Sequence, residues 1–436
     1  MAEEKWRYPL LVEAFWNWLS AKCQDRNFVS SQFLDFHTTP DHWPAVLQAI
    51  AKTPDVNKQV NSSMGDGRGG SHFLMAEALG IAMHPSALQL LRYQNDLPGL
   101  FRALYSPMEA FFASDTMTFE YLTPLRGFRM DDAELSLSAE LSISKMSVDE
   151  GLEFGLVPPP VSGLPPTYEL PQGRQFAIRR RETLDKIYGD ANQLAERNQE
   201  VSKARRKSDA LSNHDRASVL SALGVIDDSM VSAPAPEGRL LGPFWKNSGY
   251  GRWNAAQSRH ENEVLYLRRN DYDRFLLSFS KLSDPQFLIK NRRLGVAVRR
   301  LGNLARRDDQ DDAFVDVMIA AEAIYFAGGT SEITYRLSLN AAVFVDLETM
   351  PGLSRLQIRK LMADAYALRS SIVHGDLPSK DKLRIGDKEC DFAAFQTAVK
   401  KIVRGAVEKM LRSSNSTATI EIDWNKLLLE SKAASP

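Results

Sequence analysis

Hydrophobic side chains in the C-terminal half of the chain recur every three or four residues, the spacing of an amphipathic helix. In the first stretch of this kind, Leu294, Val298, Leu301 and Ala305 form an apolar stripe. The pattern predicts helices at about 284–307, 311–327, 332–347, 355–374 and 391–412. Successive helices joined by short connections predict a helical bundle for this half of the chain.

The helix predicted at 355–374 carries start and stop signals at its two ends. Ser354 is followed three residues later by Gln357, which is the spacing of a capping box. Gly375 occupies the position after the last helical residue, where a left-handed backbone ends many helices. Pro378 follows shortly and cannot continue a helix. These bounds are therefore the best determined in the chain.

The N-terminal half combines helical and strand patterns. Helical signals extend over residues 6–113. Residues 135–143 alternate apolar with polar side chains, which predicts a half-buried strand, and the apolar triplet 176–178 predicts a second strand. The predicted fold class is therefore mainly α, with an N-terminal α+β region followed by the C-terminal helical bundle.

Between the two halves, the chain from about residue 192 to residue 263 is polar and weakly periodic. This composition predicts a poorly packed insertion with a helical piece near 219–223. The predicted organisation is an N-terminal helical region at 1–118, a small strand-containing region at 119–190, a polar insertion or linker at 191–263, a helical domain at 264–415 and a C-terminal tail at 416–436.

Composition and charge narrow the class of protein. The chain has 436 residues, of which 25% are charged and 44% hydrophobic, a balance typical of globular proteins. With a net charge of -1, any binding of nucleic acid has to rely on local basic patches. The chain has two distant cysteines, and no apolar run has the length of a membrane span or the form of a signal peptide. We therefore expect a soluble, cytoplasmic protein with no membrane partner, no bound metal and no cofactor.

The predicted helix 284–307 also carries a line of basic residues. Arginine pairs recur every seven residues, and positions seven apart lie nearly in line on a helix. This line borders the apolar stripe and predicts an RNA-binding track. The alternative is a solvated helix face whose arginines pair with the aspartates between positions 308 and 312. The candidate RNA-binding residues are Arg292, Arg293, Arg299, Arg300 and Arg306.

Candidate catalytic residues lie at the end of the predicted helix 355–374, where Arg369 and His374 are five residues apart. A fixed cation beside a titratable imidazole provides the two parts that a metal-free phosphodiester cleavage requires. On one ideal helix, five residues correspond to a rotation of about 140° and an advance of about 7.5 Å. The two side chains can therefore converge only if the last turn unwinds or if two copies of the helix meet. The alternative is a structural arginine and a histidine that only closes the helix.

Three segments together carry a family resemblance: 312–326 (DAFVDVMIAAEAIYF), 335–338 (YRLS) and 366–375 (YALRSSIVHG). They resemble the Apea-like branch of the HEPN family. The resemblance covers roughly residues 271–412 and also reaches the segment 123–128. It implies a HEPN-like helical domain that pairs face to face and, in many members, acts as a metal-independent RNA endonuclease.

The resemblance assigns roles by position. Arg369 and His374 match the catalytic pair of the family. Glu322 matches the acidic position of a preceding helix, and Arg336 matches a recurrent arginine in the helix after that one. Ser370 stands where much of the wider family has Asn, Asp or His, as is usual in this branch. Because Glu322 lies in an apolar stretch, we expect Arg369 or Arg336 to pair with it.

The implied chemistry uses the 2′-hydroxyl of RNA as the nucleophile, so the protein has only to move protons and stabilise charge. In a dimer, one histidine accepts the 2′-hydroxyl proton, its mate protonates the 5′ leaving oxygen, and the arginine holds the phosphorane oxygens. The expected partners are RNA and a second copy of the chain. The resemblance further implies a prokaryotic anti-phage effector, with a trigger or antitoxin at the N-terminal region. The alternatives are a non-catalytic RNA-binding or dimerisation module and a toxin restrained by a partner.

Overall fold

The computed structural model of the protein describes residues 5–24, 44–60, 63–65, 72–74, 93, 95–153, 170, 173–185, 191–227, 231–241, 264–304, 307, 309–326, 332–375, 383–413 and 419–430. The chain divides into two compact units. The N-terminal unit consists of Met1–Pro124, Glu134–Asn213 and Pro234–Gln257, and the C-terminal unit of Leu125–Ala133, His214–Ala233 and Ser258–Pro436. The fold is mainly α with an α+β region in the N-terminal half, as the sequence predicts.

Helices form the first part of the N-terminal unit, as the helical signals predict. The elements are α1 (Pro9–Gln24), α2 (Pro44–Ala51), α3 (Pro54–Val60), the antiparallel strands β1 (Ser63–Gly65) and β2 (His72–Leu74), and α4 (Leu97–Ala113). Their shared core is aromatic. The rings of Phe15, Phe101 and Tyr105 pack with centroids 5.2, 5.3 and 6.1 Å apart. Burial of these large rings is the main source of stability for the helices.

A five-stranded antiparallel sheet completes the N-terminal unit. The chain forms β3 (Thr116–Pro124), β4 (Phe128–Met130), β5 (Glu134–Ser136), β6 (Leu141–Lys145), α5 (Val148–Glu153), β7 (Phe176–Asp185), α6 (Ala191–Ile226), β8 (Glu237–Leu241) and β9 (Leu265–Leu267). The strand order in the sheet is β5-β6-β7-β3-β8. Strands β3 and β7 pair along their length, from Thr116 opposite Asp185 to Pro124 opposite Ala177. In the C-terminal unit, β4 and β9 pair in parallel.

The single strand predicted at 135–143 is a hairpin of β5 and β6. Leu135 lies opposite Ile143, so both side chains face the same side and the apolar alternation continues through the turn. Ser138 closes the turn, because its Oγ accepts hydrogen bonds from the backbone N–H groups of Glu140 and Leu141. Alternation alone cannot distinguish one long strand from two short strands joined in phase. The strand predicted at 176–178 is confirmed as the start of β7.

Ionic side chains are buried on one face of this sheet. Glu120 of β3 is fully buried, and Arg179 of β7 is 6% exposed. Arg179 lies 3.3 Å from Glu120 and donates two hydrogen bonds of 2.7 Å to Glu150 of α5. Arg181 donates a further hydrogen bond of 2.9 Å to Glu120. Since buried charges are tolerated only when they are paired, this network holds α5 and β7 against β3.

Replacing Glu120 with alanine is expected to lower the free energy of unfolding by about 2 kcal/mol, because the buried Arg179 loses one of its two carboxylate partners. Glu140 offers a matched control, since it pairs with Arg180 but its side chain is 57% exposed. Glu140→Ala should cost less than about 1 kcal/mol. Urea unfolding followed by circular dichroism measures both changes. Equal losses for the two variants would contradict the role assigned to burial.

Residues 191–226 form the single helix α6, where the sequence predicts a poorly packed polar insertion. The boundary between the two units falls inside this helix. Its buried residues include Val219 and Ala222, but also Ser212 and Asp215. Polar residues at core-facing positions interrupt the apolar stripe, so the helical periodicity of the sequence is weak. The insertion predicted here is thus a helix, and its C-terminal part is packed.

The C-terminal unit contains the predicted helical bundle. Its elements are α7 (Tyr272–Leu282), α8 (Pro285–Lys290), α9 (Arg292–Asn303), α10 (Gln310–Tyr325), α11 (Ile333–Phe344), α12 (Arg355–His374), the antiparallel strands β10 (Leu383–Ile385) and β11 (Lys388–Cys390), α13 (Phe392–Ser413) and α14 (Trp424–Glu430). The helix predicted at 284–307 is divided at Asn291, whose backbone has ψ of 53°. The buried Asn291 side chain donates to the Phe287 carbonyl and accepts from the backbone N–H of Ile420, which fixes the break.

Much of helix α10 is buried in the core of this bundle. Phe314, Val317 and Tyr325 of α10 are fully buried. The Tyr325 hydroxyl donates a hydrogen bond of 3.0 Å to the Ile402 carbonyl of α13, and burial raises the pKa of Tyr325 above its usual value. The tail predicted at 416–436 contains α14, and the ring of its Trp424 lies 6.4 Å from that of Tyr325. The C-terminal helix therefore covers part of the bundle core.

Candidate functional site

Helix α12 carries the two residues that the sequence marks as catalytic. The hydroxyl of Ser354 accepts a hydrogen bond from the backbone N–H of Gln357, and the Gln357 side chain accepts one from the backbone N–H of Ser354. This is the predicted capping box. At the other end, Gly375 has the predicted left-handed conformation, with φ of 77°. The helix is continuous from Arg355 to His374.

Arg369 is held against the neighbouring helix α10. Its Nη2 atom lies 3.6 Å from Oε1 of Glu322, and the two side chains are 24% and 28% exposed. The guanidinium carbon also lies 5.9 Å from the ring centroid of Tyr366, one turn earlier on α12. The contact between Glu322 and Arg369 that the sequence predicts is therefore present.

This ion pair leaves hydrogen-bonding capacity unused. A separation of 3.6 Å brings the charges together but is too long for a direct hydrogen bond. Nε of Arg369 and Oε1 of Glu322 are both buried and have no hydrogen-bond partner among the described residues. The unpaired Nε is itself buried, but the Arg369 side chain is 24% exposed, and the exposed part of a guanidinium oriented by a carboxylate can bind a phosphate oxygen. The geometry of Arg369 thus suits an anionic ligand.

His374 has a different environment from Arg369. It is exposed in the last turn of α12, and its ring has no hydrogen-bond partner in the part of the chain that the structure describes. Because α12 stays helical through His374, the two side chains point about 140° apart and do not converge on one helix. The last turn has not unwound. Of the two ways in which the pair can act together, only the meeting of two helices is compatible with this backbone.

The remaining predicted site residues lie around this pair at different depths. Ser370 is half-buried on α12 beside Arg369. Arg336 is exposed on α11, in the first turn of that helix. The structure therefore brings Glu322 and Arg369 together and leaves His374 and Arg336 at the surface.

The predicted basic track on α9 is only partly available for binding. Arg292, Arg293 and Arg299 are exposed, and none of them has an ion-pair partner among the described residues. Arg306 lies outside the described residues. The three exposed arginines form a cationic face on α9.

Arg300 differs from these three arginines because it has an ion-pair partner, although its side chain is 39% exposed. It donates a hydrogen bond of 2.6 Å to Asp316 of α10, and Arg307 donates one of 2.7 Å to the other oxygen of the same carboxylate. Asp316 is 2% exposed. Asp316 lies outside the range 308–312 in which the sequence predicted carboxylate partners, and within that range Asp312 lies 4.0 Å from Arg307. An aspartate inside the apolar run of α10 was the signal that could have identified it.

No helix in the described part of the chain combines the length and the apolar character needed to pass through a lipid bilayer. His, Cys, Asp and Glu side chains of the same residues nowhere form a group of three that could hold a metal ion.

Comparisons of the chain with protein-family models, with curated proteins and with solved structures found no match. A functional proposal for this site therefore rests on its own residues and geometry.

Charge reversal should separate the two kinds of arginine on α9. Arg300→Glu places a carboxylate against buried Asp316 and is expected to lower the free energy of unfolding by about 1 to 3 kcal/mol. Arg299→Glu makes the same change of charge one position earlier, on an exposed side chain. This variant should alter the free energy of unfolding by less than about 0.5 kcal/mol. Chemical unfolding of both variants provides the measurement. If the two variants are equally stable, the ion pair of Arg300 with Asp316 does not stabilise the bundle.

Proposed function

We propose that the protein is a metal-independent RNA endonuclease of the HEPN type that works as a homodimer. The observation that carries the proposal is the ion pair of Arg369 with Glu322, on the same helix as an exposed imidazole in its last turn. Arg369 supplies an oriented cation, and His374 supplies an imidazole that can carry a proton. Both lie in the segment that resembles the HEPN family.

RNA cleavage suits these residue types because RNA carries its own nucleophile. The 2′-hydroxyl attacks the adjacent phosphorus when a base removes its proton, and the 5′ oxygen leaves when an acid supplies one. His374 of one subunit is the base and His374 of its mate is the acid. Arg369 stabilises the negative charge that develops on the phosphorane oxygens. The products end in 2′,3′-cyclic phosphate and 5′-hydroxyl, so the protons and electrons balance without a metal.

Glu322 acts through Arg369 in this scheme. Its carboxylate is too far from Arg369 for a direct hydrogen bond and holds the guanidinium by charge. The arginine fork therefore keeps its donors for the phosphate while its position is fixed. Glu322 is therefore a positioning residue in this scheme.

A dimer is part of the proposal because of the helix geometry. Arg369 and His374 diverge on the continuous helix α12, so the two side chains of one copy point in different directions. Two copies related by a two-fold axis can place both imidazoles and both guanidiniums around one phosphate. The exposure of His374 at the end of the helix supports this arrangement.

The first test compares wild-type protein with His374→Ala on mixed cellular RNA in EDTA. Wild type should produce fragments with 2′,3′-cyclic phosphate ends, and the variant should cut at least about 100-fold more slowly because it lacks the acid and base. Sequencing of the fragment ends and gel kinetics provide the measurements.

Val373→Ala is the matched control for this test, since Val373 is the exposed neighbour of His374 on the same turn. It should cut like wild type. Full activity of His374→Ala, or an absolute need for Mg²⁺, would show that the chemistry is different. A strictly monomeric protein in light scattering that cuts undiminished would disprove the composite site.

A second test addresses Glu322. Glu322→Gln keeps the size of the side chain and removes its charge, so kcat should fall about 10- to 100-fold while KM changes little. Glu322→Asp, which keeps the charge, should retain more activity than the glutamine variant. The measurement is steady-state cleavage of a labelled RNA, with circular dichroism as a control for folding. A purely structural role would instead show as lost thermal stability at unchanged kcat.

The cationic face on α9 favours a second candidate, an RNA-binding and dimerisation module without cleavage. Arg292, Arg293 and Arg299 can bind phosphates whether or not His374 is catalytic. Binding that is tight in wild type and His374→Ala alike, with no cyclic phosphate from either, would support this candidate. Toxicity on expression that is relieved by His374→Ala would instead support a defence effector or a toxin.

A further inference from the structure

A hollow of about 490 Å³ opens in the C-terminal unit between the C-terminal part of α6 and the helices α8 and α9. Its volume lies within the range of small-ligand sites, about 300 to 1,000 Å³. None of the described residues that line it belongs to α12. The hollow is therefore separate from the candidate catalytic residues.

The walls of the hollow are mainly aliphatic. Leu282 and Val298 are almost fully buried, and Leu288 is half-buried between them and the surface. Gly295 lets the backbone of α9 form part of the floor, because it has no side chain to fill the space. The half-buried Ser221 adds a hydroxyl that has no hydrogen-bond partner among the described residues. Such walls suit a flat, largely apolar group that carries a polar edge.

The rim of the hollow is cationic. Arg292 and Arg299 both line it, seven residues apart on α9 and therefore on the same side of that helix. Both are exposed and have no ion-pair partner among the described residues. Arginines that are free of carboxylates beside an apolar hollow select a ligand that is both anionic and apolar.

We propose that the hollow holds one base of a single-stranded RNA and that Arg292 and Arg299 bind the phosphates on either side of it. A nucleotide combines a flat base of the right size with a fixed negative charge. The Ser221 hydroxyl can meet the polar edge of the base, while the leucine and valine side chains contact its faces. The arginine planes can also stack on the exposed part of the base.

A polynucleotide fits the surface better than a free nucleotide does. Arg293 is exposed beside Arg292 but does not line the hollow, so the cationic face extends beyond it. A single nucleotide would leave that charge unused, whereas the next phosphate of a strand reaches it. This assignment rests on the proposed function, because it makes the hollow a substrate-binding site of the same RNA-cutting protein.

Binding can be measured independently of cleavage with a 2′-O-methylated RNA of 12 nucleotides, which lacks the nucleophile. Fluorescence anisotropy with the full chain should show binding that weakens with salt. Ala217 is exposed and lines the hollow, so Ala217→Trp fills the space without a change in charge. We expect this variant to bind about tenfold more weakly, in line with the loss of one base contact.

Ala393→Trp is the matched control, because Ala393 is exposed on α13 and does not line the hollow. It should bind like wild type. A backbone of the same length without bases should bind more weakly to wild type and show no further loss with Ala217→Trp. This second measurement keeps the test valid if the tryptophan disturbs the fold.

Arg299→Glu should weaken binding at least about tenfold and lower the slope of log affinity against log salt by about 1. The inference is wrong if Ala217→Trp leaves the affinity unchanged, or if the base-free backbone binds as tightly as the full oligomer. If adenosine monophosphate at equal concentration displaces the RNA, the hollow binds a free nucleotide and the assignment to an RNA strand is wrong. If Ala217→Trp binds and cleaves RNA like wild type, the hollow is not a substrate-binding site. The proposed catalytic site would not be contradicted by that result.

Discussion

A carboxylate that is shielded from water on an apolar helix requires a cation, and α10 carries two such carboxylates, the buried Asp316 and the half-buried Glu322. Asp316 holds Arg300 and Arg307, and Glu322 lies next to Arg369. Because α10 packs against α9, α12 and α13, its two carboxylates set the positions of side chains on the surrounding helices. The cationic face and the candidate catalytic arginine both depend on this one helix.

The two carboxylates have different consequences for their arginines. Asp316 forms short hydrogen bonds, so Arg300 and Arg307 are structural. Glu322 approaches Arg369 only to 3.6 Å, so that arginine is held in place with donors to spare. A difference of about one ångström in these contacts thus separates arginines that stabilise the bundle from one that can bind a ligand.

Local signals were the part of the fold that the sequence predicted well. The capping box at Ser354 and the left-handed Gly375 involve neighbours within a few residues, so their spacing alone identifies both ends of α12. Burial of the α10 face follows from its apolar run in the same way. The hairpin at 135–143 was predicted as one strand, because its turn keeps the apolar alternation in phase. The helical piece predicted near 219–223 is confirmed, but the full length of α6 was not predicted, because buried polar residues such as Ser212 and Asp215 interrupt its apolar stripe.

From the sequence alone, it was possible to determine that the chain is mainly helical, where α12 begins and ends, and that Glu322 needs Arg369 or Arg336 as a partner. The structure decided between these two in favour of Arg369. Only the tertiary structure decided which arginines of α9 remain free, because that depends on Asp316 from another helix. It also decided that Arg369 and His374 diverge, and that α6 closes a hollow with α8 and α9. The physical reason is that charge pairing and cavities arise between residues distant in the chain, whereas caps and periodicity arise within one helix.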